Sequence, residues 1–67
     1  MRNRVRELRT DAGLTQSDLG ASLGVSRQTI NSIEAGRHLP SLPLALRMAR
    51  LFHAGVHEIF ELEEEET

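Results

Sequence analysis

The amino-acid sequence predicts an all-α fold of five short helices. Two observations lead to this prediction. Apolar residues recur at the three- and four-residue spacing of amphipathic helices, and Ser, Thr, Gly and Pro stand where such helices would begin and end. Alternation of apolar and polar residues, which is typical of a half-buried strand, is almost absent before residue 58. A chain of 67 residues has room for one small hydrophobic core, so we expect a single domain.

The first two predicted helices carry clear start and stop signals. Helix 1 is expected over residues 3–12, with Asn3 as its N-cap and Gly13 as the left-handed residue after its end. Thr15 is the expected N-cap of helix 2, and Asp18 completes an acidic form of the capping box. Both helices are therefore predicted from local signals.

Three further helices are predicted in the rest of the chain. Ser26 and Ser41 are the expected N-caps of helices 3 and 4, because each precedes a segment with helical periodicity. Pro43 falls in the first turn of helix 4, where its missing N–H has no intrahelical partner to lose. The expected ranges are 26–35 for helix 3, 42–52 for helix 4 and 56–60 for helix 5.

The charges are distributed unevenly along the chain. The formal net charge is −2, but residues 1–60 hold all eight Arg and five acidic residues, whereas residues 61–67 hold five Glu and no base. The body of the chain is therefore mildly basic and its end is acidic. We expect one domain over residues 1–62, followed by an acidic tail over residues 63–67. Every basic residue is Arg, whose planar guanidinium suits contacts with phosphate and guanine.

The composition argues against several classes of protein. The sequence has no Cys, which excludes disulfides and thiolate zinc sites. His53 and His57 are close in sequence, but Gly55 interrupts any helix between them, so neither a metal nor a cofactor is expected. There is no nucleophile–base pair and no Gly-rich phosphate loop, so we expect no enzymatic activity. There is also no long apolar run or secretory leader, so we expect a cytoplasmic protein without a membrane span.

Residues 16–35 have the organisation of a helix-turn-helix, a motif that places its second helix in the major groove of DNA. Gly24 permits the positive φ of a tight turn between the two helices. Helical periodicity places Ile30 and Ile33 on the inner face of helix 3. The opposite face has neither an acid nor a bulky hydrophobe, whereas an ordinary exposed helix more often carries paired Glu and Lys. Its Arg, Gln, Asn, Ser and Thr side chains match the hydrogen-bonding edges of bases.

The run from Gly24 to Asn31, Gly-Val-Ser-Arg-Gln-Thr-Ile-Asn, resembles the helix-turn-helix of the Cro/C1-type (XRE) family of transcriptional regulators. The likeness extends over residues 3–60. It implies a five-helix, lambda-repressor-like fold and operator binding as a homodimer. Gly20 departs from the family, which usually has Ala there. Gly lowers helix propensity by about 1 kcal/mol but still permits a close approach of helices 2 and 3.

The resemblance and the outward face of helix 3 together predict the DNA contacts. The resemblance implies that Gln16, at the start of helix 2, contacts phosphate and that Arg9 pairs with Glu34. The residues predicted to read bases are Arg27, Gln28, Thr29, Asn31 and Ser32. The residues predicted to contact phosphate are Gln16, Ser26 and Arg37. The alternative for each of these residues is an ordinary solvated side chain. Arg2, Arg4 and Arg6 could likewise attract phosphate or carry ordinary solvated charge.

Helix 4 is more apolar than a single contact with the core requires, since a surface helix needs an apolar stripe of little more than about 100°. Its expected inner arc comprises Leu42, Ala45, Leu46, Met48, Ala49 and Phe52. Leu44 and Leu51 extend this arc to one side. The predicted dimer interface consists of Leu44, Leu51, Phe60 and Leu62. The alternative is that helix 4 is deeply buried in one small domain.

The segment Phe60-Glu61-Leu62-Glu63 alternates apolar and polar residues. We expect it to form a short strand that pairs with its two-fold mate at the dimer interface. The acidic tail is expected to be solvated. Its alternative role is to repel DNA unless the dimer is correctly docked.

These observations predict a sequence-specific regulator of transcription, most simply a repressor. Two copies of helix 3 would enter successive major grooves of double-stranded DNA, about 34 Å apart on a pseudo-palindromic site. Two alternatives stay open. One is an antitoxin or controller subunit of a two-gene unit. The other is a protein-interaction module that uses the same fold to bind an unknown second protein.

Overall fold

The computed structural model describes residues 1–63 and contains five α-helices and a two-stranded antiparallel sheet. In chain order the elements are β1 (Arg2–Asn3), α1 (Val5–Asp11), α2 (Gln16–Leu23), α3 (Arg27–Glu34), α4 (Leu42–Phe52), α5 (Val56–Ile59) and β2 (Phe60–Glu61). The predicted five-helix architecture is confirmed. Of the predicted acidic tail, all but Glu63 lies outside the described residues. No helix in residues 1–63 has the length and apolar character needed to cross a membrane.

Side-chain caps determine where three of the helices begin. The Thr15 hydroxyl accepts a hydrogen bond from the Asp18 N–H, and the Asp18 carboxylate accepts one from the Thr15 N–H, each at 3.0 Å. Hydrogen bonding of the Asp18 carboxyl with the Thr15 backbone N–H, and with the Thr15 side chain, holds the pKa of this carboxyl below its ordinary value. Ser26 and Ser41 cap α3 and α4 by accepting from a backbone N–H three residues later. These three predicted caps are confirmed, and each stabilises its helix by about 1 kcal/mol.

The N-terminal segment corrects the prediction that helix 1 starts at Asn3. Arg2 and Asn3 form β1, in which Arg2 lies opposite Glu61 and Asn3 lies opposite Phe60. The helix begins at Val5 instead. Asn3 still supports the helix start, because its Oδ1 accepts a hydrogen bond from the Val5 N–H at 3.1 Å. The start shifts because the backbone of Asn3 is engaged by a strand from the other end of the chain.

The C-terminal segment forms the predicted short strand, and this strand pairs within the chain, whereas its pairing with a two-fold mate stays a prediction. β2 lies against β1, and beside this sheet the Arg4 N–H donates to the carbonyl oxygen of Ile59 at 2.8 Å. The guanidinium of Arg2 also lies 3.0 Å from the carboxylate of Glu61. The first and last elements of residues 1–63 therefore hold each other in place.

The hydrophobic core lies between the five helices. Its buried members are Val5, Leu19, Leu23, Ile30, Ile33, Leu44, Met48 and Ile59. The two isoleucines confirm the inner face predicted for helix 3. Gly24 turns the chain between α2 and α3 with a φ of 76°, and half-buried Val25 packs from this turn against the core. The arrangement leaves the opposite face of α3 exposed.

The buried face of α4 differs from the predicted one. Leu44 is only 4% exposed and belongs to the core, so it does not present its side chain to a partner as predicted. Leu42 and Leu46, which helical periodicity places inside, are 68% and 52% exposed. Because α4 is apolar on nearly all sides, its own sequence does not select the buried face. Contacts with α2 and α5 select it, and Met48 lies at its centre.

Candidate nucleic-acid interface

One face of α3 presents polar side chains to solvent. Arg27, Gln28 and Asn31 are exposed, and Thr29 and Ser32 are half-buried at the margins of this face. The structure therefore brings the five predicted base-reading residues together on one helix surface. Three of them project their end groups into solvent, as a helix entering the major groove requires.

The N-cap of α3 involves two of the predicted contact residues. Ser26 Oγ accepts a hydrogen bond from the Thr29 N–H at 3.1 Å, and the two hydroxyl oxygens lie 3.0 Å apart. The hydroxyl of Thr29 is therefore part of the cap and is already used within the chain. This leaves Arg27, Gln28 and Asn31 as the side chains of α3 with the greatest reach.

The acidic residue of α3, Glu34, points away from this face and joins α3 to α1. Arg9 Nε donates to Glu34 Oε2 at 2.7 Å, and Arg9 Nη2 donates to Glu34 Oε1 at 3.3 Å. A third donor of the same guanidinium, Nη1, bonds the carbonyl oxygen of Leu14 at 2.9 Å. The predicted pair is thus a bidentate ion pair between two helices. Such geometry is stronger than a single point contact.

The side chain of Glu34 is 1% exposed, yet its surroundings favour the ionised form. Burial alone would raise the pKa of this carboxyl. Hydrogen bonds from Arg9 and Gln16, and the positive charges of Arg9 and Arg6, outweigh burial and hold the pKa below its ordinary value. Glu34 is therefore a buried carboxylate at neutral pH, able only to accept hydrogen bonds.

Gln16 connects this buried pair to the exposed face of α3, a connection that sequence reasoning missed. Its Nε2 donates to Glu34 Oε1 at 3.1 Å and to Asn31 Oδ1 at 3.3 Å. Helical periodicity gives no signal for such a link, since Gln16 and Glu34 are 18 residues apart and lie on different helices. The four side chains of Arg9, Glu34, Gln16 and Asn31 form one continuous network.

The residues predicted to contact phosphate lie around α3. Gln16 is the first residue of α2, Ser26 is the N-cap of α3, and Arg37 is an exposed residue just after α3. Among residues 1–63, no carboxylate forms an ion pair with Arg27 or Arg37. Both guanidinium groups are therefore available to an anionic ligand.

The N-terminal arginines are placed differently. Arg2 lies beside Glu61, Arg4 beside Glu7 and Arg6 beside Glu34. Their charges are thus partly balanced within the chain. The described part of the chain also contains no cluster of three or more His, Asp or Glu side chains that could hold a metal ion.

Comparison with known proteins agrees with this geometry. A family model described as a helix-turn-helix domain matches residues 1–62. The chain is 46% identical over 65 residues to YgzD of Bacillus subtilis, an uncharacterized HTH-type transcriptional regulator, and the match covers 97% of this chain and 98% of that protein.

Solved structures with the same fold include a controller protein and a repressor. The restriction-modification controller protein C.AhdI from Aeromonas hydrophila is 35% identical, with a TM-score of 0.75 over 85% of this chain and 86% of that chain. The P22 c2 repressor, solved with a synthetic operator, is 24% identical, with a TM-score of 0.77 over 81% of this chain and 82% of that chain, and supports the fold alone. The family match and the 46% identity to YgzD show that the chain belongs to the helix-turn-helix family of transcriptional regulators.

Proposed function

We propose that this protein is a sequence-specific DNA-binding repressor that acts as a homodimer on a pseudo-palindromic site. The observation that carries the proposal is the composition of the exposed face of α3. Arg27, Gln28 and Asn31 project from it, while Glu34, the acidic residue of the same helix, is buried against Arg9. The helix therefore offers donors and acceptors to base edges without placing a carboxylate against phosphate.

Phosphate contacts would set the register of α3 in the groove. The first backbone N–H groups of α2 and α3 have no intrahelical acceptors, and helix N-termini attract anions. Both Nε2 hydrogens of Gln16 are used within the chain, so we propose that its backbone N–H, rather than its side chain, contacts phosphate. The exposed guanidinium of Arg37 would add a second contact.

The homodimer is proposed from the exposed apolar surface of the chain. Leu42 and Leu46 lie one turn apart on α4, and Leu39 in the preceding loop is also exposed. We propose that these three residues form the main interface, because Leu44 is in the core. Leu51 and Leu62 are also exposed, whereas Phe60 is half-buried and packs against the core. A domain this small gains stability from such an interface.

The proposal is tested by in vitro selection of double-stranded DNA with the full chain, followed by sedimentation of the protein and its complex. We expect an enriched site with two-fold symmetry, half-sites about 10 base pairs apart, and two protein chains per site. A reporter promoter overlapping that site should lose activity when the protein is supplied. Recovery of no preferred sequence would contradict the proposal and favour the protein-interaction module.

A second candidate function is that of a controller of a two-gene unit. The observation that favours it is the 35% identity to the restriction-modification controller protein C.AhdI. A controller would bind upstream of its own gene, so a reporter driven by that upstream region should respond to the protein. A selected site that is absent from this region, together with an unresponsive reporter, would exclude this role.

A further inference from the structure

We infer that buried Glu34 determines which atoms Asn31 offers to DNA, so that Asn31 selects a base with a hydrogen-bond acceptor and rejects cytosine. The inference rests on the proposed function, because it requires α3 to lie in the major groove. It makes Glu34 and Gln16 positioning residues for base recognition, in addition to the contact between Glu34 and Arg9.

The first step fixes the amide of Gln16. A carboxylate can only accept hydrogen bonds, so the Gln16 atom facing Glu34 Oε1 at 3.1 Å must be the amide nitrogen. A flipped amide would place its carbonyl oxygen against the buried carboxylate, and two acceptors in contact repel each other. Glu34 is itself held by the bidentate contact with Arg9. The orientation of Gln16 is therefore set from inside the domain.

The second step transfers this orientation to Asn31. One Nε2 hydrogen of Gln16 is used by Glu34, and the other points towards Asn31 at 3.3 Å. The Asn31 atom that receives a donor must be an acceptor, so it is the carbonyl oxygen Oδ1. The nitrogen Nδ2 of Asn31 then lies on the other side of its amide. It has no partner among residues 1–63, and Asn31 is exposed.

The third step compares this arrangement with the bases. A free Asn side chain can rotate its amide and so present either a donor or an acceptor. Because Oδ1 faces Gln16, the group that Asn31 directs away from Gln16 is the Nδ2 donor. Guanine offers N7 and O6, adenine offers N7 and thymine offers O4 as acceptors in the major groove, whereas cytosine offers only its N4 donor. Cytosine at the contacted position would therefore face donor against donor.

The inference is tested by measuring base preference at each position of the selected site with the unmodified chain and four variants. The position contacted by Asn31 is identified as the one whose preference disappears in Asn31→Ala. For the wild type we expect cytosine on the contacted strand to bind roughly tenfold more weakly than the preferred base, the scale of one well-placed base contact.

Asn31→Asp keeps the acceptor for Gln16 but replaces the outward donor by an acceptor, so cytosine should become the preferred base at this position.

Glu34→Gln supplies a donor to Gln16 and allows both amides to flip, so discrimination against cytosine should fall to about twofold or less. Gln16→Met removes the donor that orients Asn31. It should reduce the base preference at the position contacted by Asn31 without changing the Arg9–Glu34 pair. This variant keeps the test valid if Glu34→Gln does not fold.

These outcomes separate the inference from the proposed function. Loss of preference confined to the Asn31 position, with the other positions retained, would support the positioning role, because a structural defect would weaken all positions together. If the wild type selects a site but Gln16→Met and Asn31→Asp keep its preference at that position, the inference is wrong and the proposed function stands. If the wild type selects no sequence, the proposed function fails and the inference fails with it.

Discussion

At the scale of single residues, polar side chains in this protein divide into those facing solvent and those holding the helices together. Arg27 and Arg9 carry the same group, but Arg27 is exposed on α3 whereas Arg9 grips the buried carboxylate of Glu34. The guanidinium of Arg27 is accessible to a ligand such as DNA, and that of Arg9 is not. Residue type alone does not distinguish the two roles, because the distinction depends on what lies beside each guanidinium.

Replacement of Arg27 tests the readout of bases by α3. Arg27→Ala is expected to weaken binding to the selected site by about 1–3 kcal/mol and to relax preference at one base pair, because an exposed guanidinium fork is lost. Fluorescence anisotropy with specific and random DNA measures both effects. Arg47→Ala, which removes the same charge from the exposed side of α4, is the control and should have little effect. If Arg27→Ala weakens binding to specific and to random DNA equally, Arg27 contacts phosphate instead of a base.

Acid should weaken the link between α1 and α3. Because the pKa of Glu34 is lower in the folded chain than its ordinary value of 4.5, the carboxylate stabilises the fold above that value. This stabilisation should disappear as the pH falls through the lowered folded pKa. Chemical denaturation at several pH values should show that the unfolding free energy of the wild type falls in acid. The unfolding free energy of Glu34→Gln should depend less on pH.

The control for this pH effect is Asp11→Asn, which removes an exposed carboxyl group from the end of α1. Its unfolding free energy, measured at the same pH values, gives the baseline for removing one carboxyl group outside the ion pair. An identical pH dependence in the wild type and Glu34→Gln would show that the buried ion pair contributes no acid-sensitive stability.

At the scale of elements, the starts of α2, α3 and α4 and the turn at Gly24 followed directly from local sequence. Thr15, Ser26 and Ser41 cap helices through backbone groups only three residues away, so a short segment contains all of the necessary information. The buried face of α4 did not follow in this way. Leu42 and Leu44 are equally apolar, and only packing against α2 and α5 decides which of them is covered.

The close approach of α2 to the turn before α3 makes a further prediction. A Cβ atom at Gly20 would lie 2.7 Å from the carbonyl oxygen of Val25, which is a backbone atom with little freedom to move. We expect Gly20→Val to lower the free energy of unfolding by about 1–3 kcal/mol through overpacking. Ala21→Val, at the adjacent exposed position of α2, introduces the same side chain where the structure leaves room for it and is the control. Equal effects of the two substitutions on thermal unfolding would contradict a steric origin.

At the scale of the whole molecule, the two ends of the chain close the fold and one side of α4 is left apolar. Arg2–Asn3 and Phe60–Glu61 form the small sheet, which joins the beginning of the domain to its end. Strands of two residues carry no usable alternation, so β1 could not be predicted. The C-terminal strand was predicted, but its partner depends on where the N-terminus lies in three dimensions.

Truncation after Ile59 tests whether the sheet stabilises one chain or two. It removes β2, so we expect the unfolding free energy to fall by the same amount at low and at high protein concentration, because the lost pairing is within the chain. The measurement is chemical denaturation of the wild type and the truncated chain at two widely separated protein concentrations. A loss of stability seen only at low concentration would instead indicate that the segment acts between chains.

Leu46→Glu tests the dimer surface. A charge at this exposed position should weaken self-association by at least tenfold in sedimentation experiments while the chain stays folded, because the side chain lies outside the core. Leu51→Glu, a substitution of the same kind further along α4, is the matched comparison. Unchanged association of Leu46→Glu together with dissociation of Leu51→Glu would place the interface on the Leu51 side of α4.

The sequence by itself determined the number of helices, the caps of α2, α3 and α4, the turn at Gly24 and the polar face of α3. These features depend on residues within one or two turns of each other. The tertiary structure alone decided the buried face of α4, the partner of the C-terminal strand and the link from Glu34 through Gln16 to Asn31. Each of these depends on contacts between residues that are far apart in the chain, and local periodicity contains no information about such contacts.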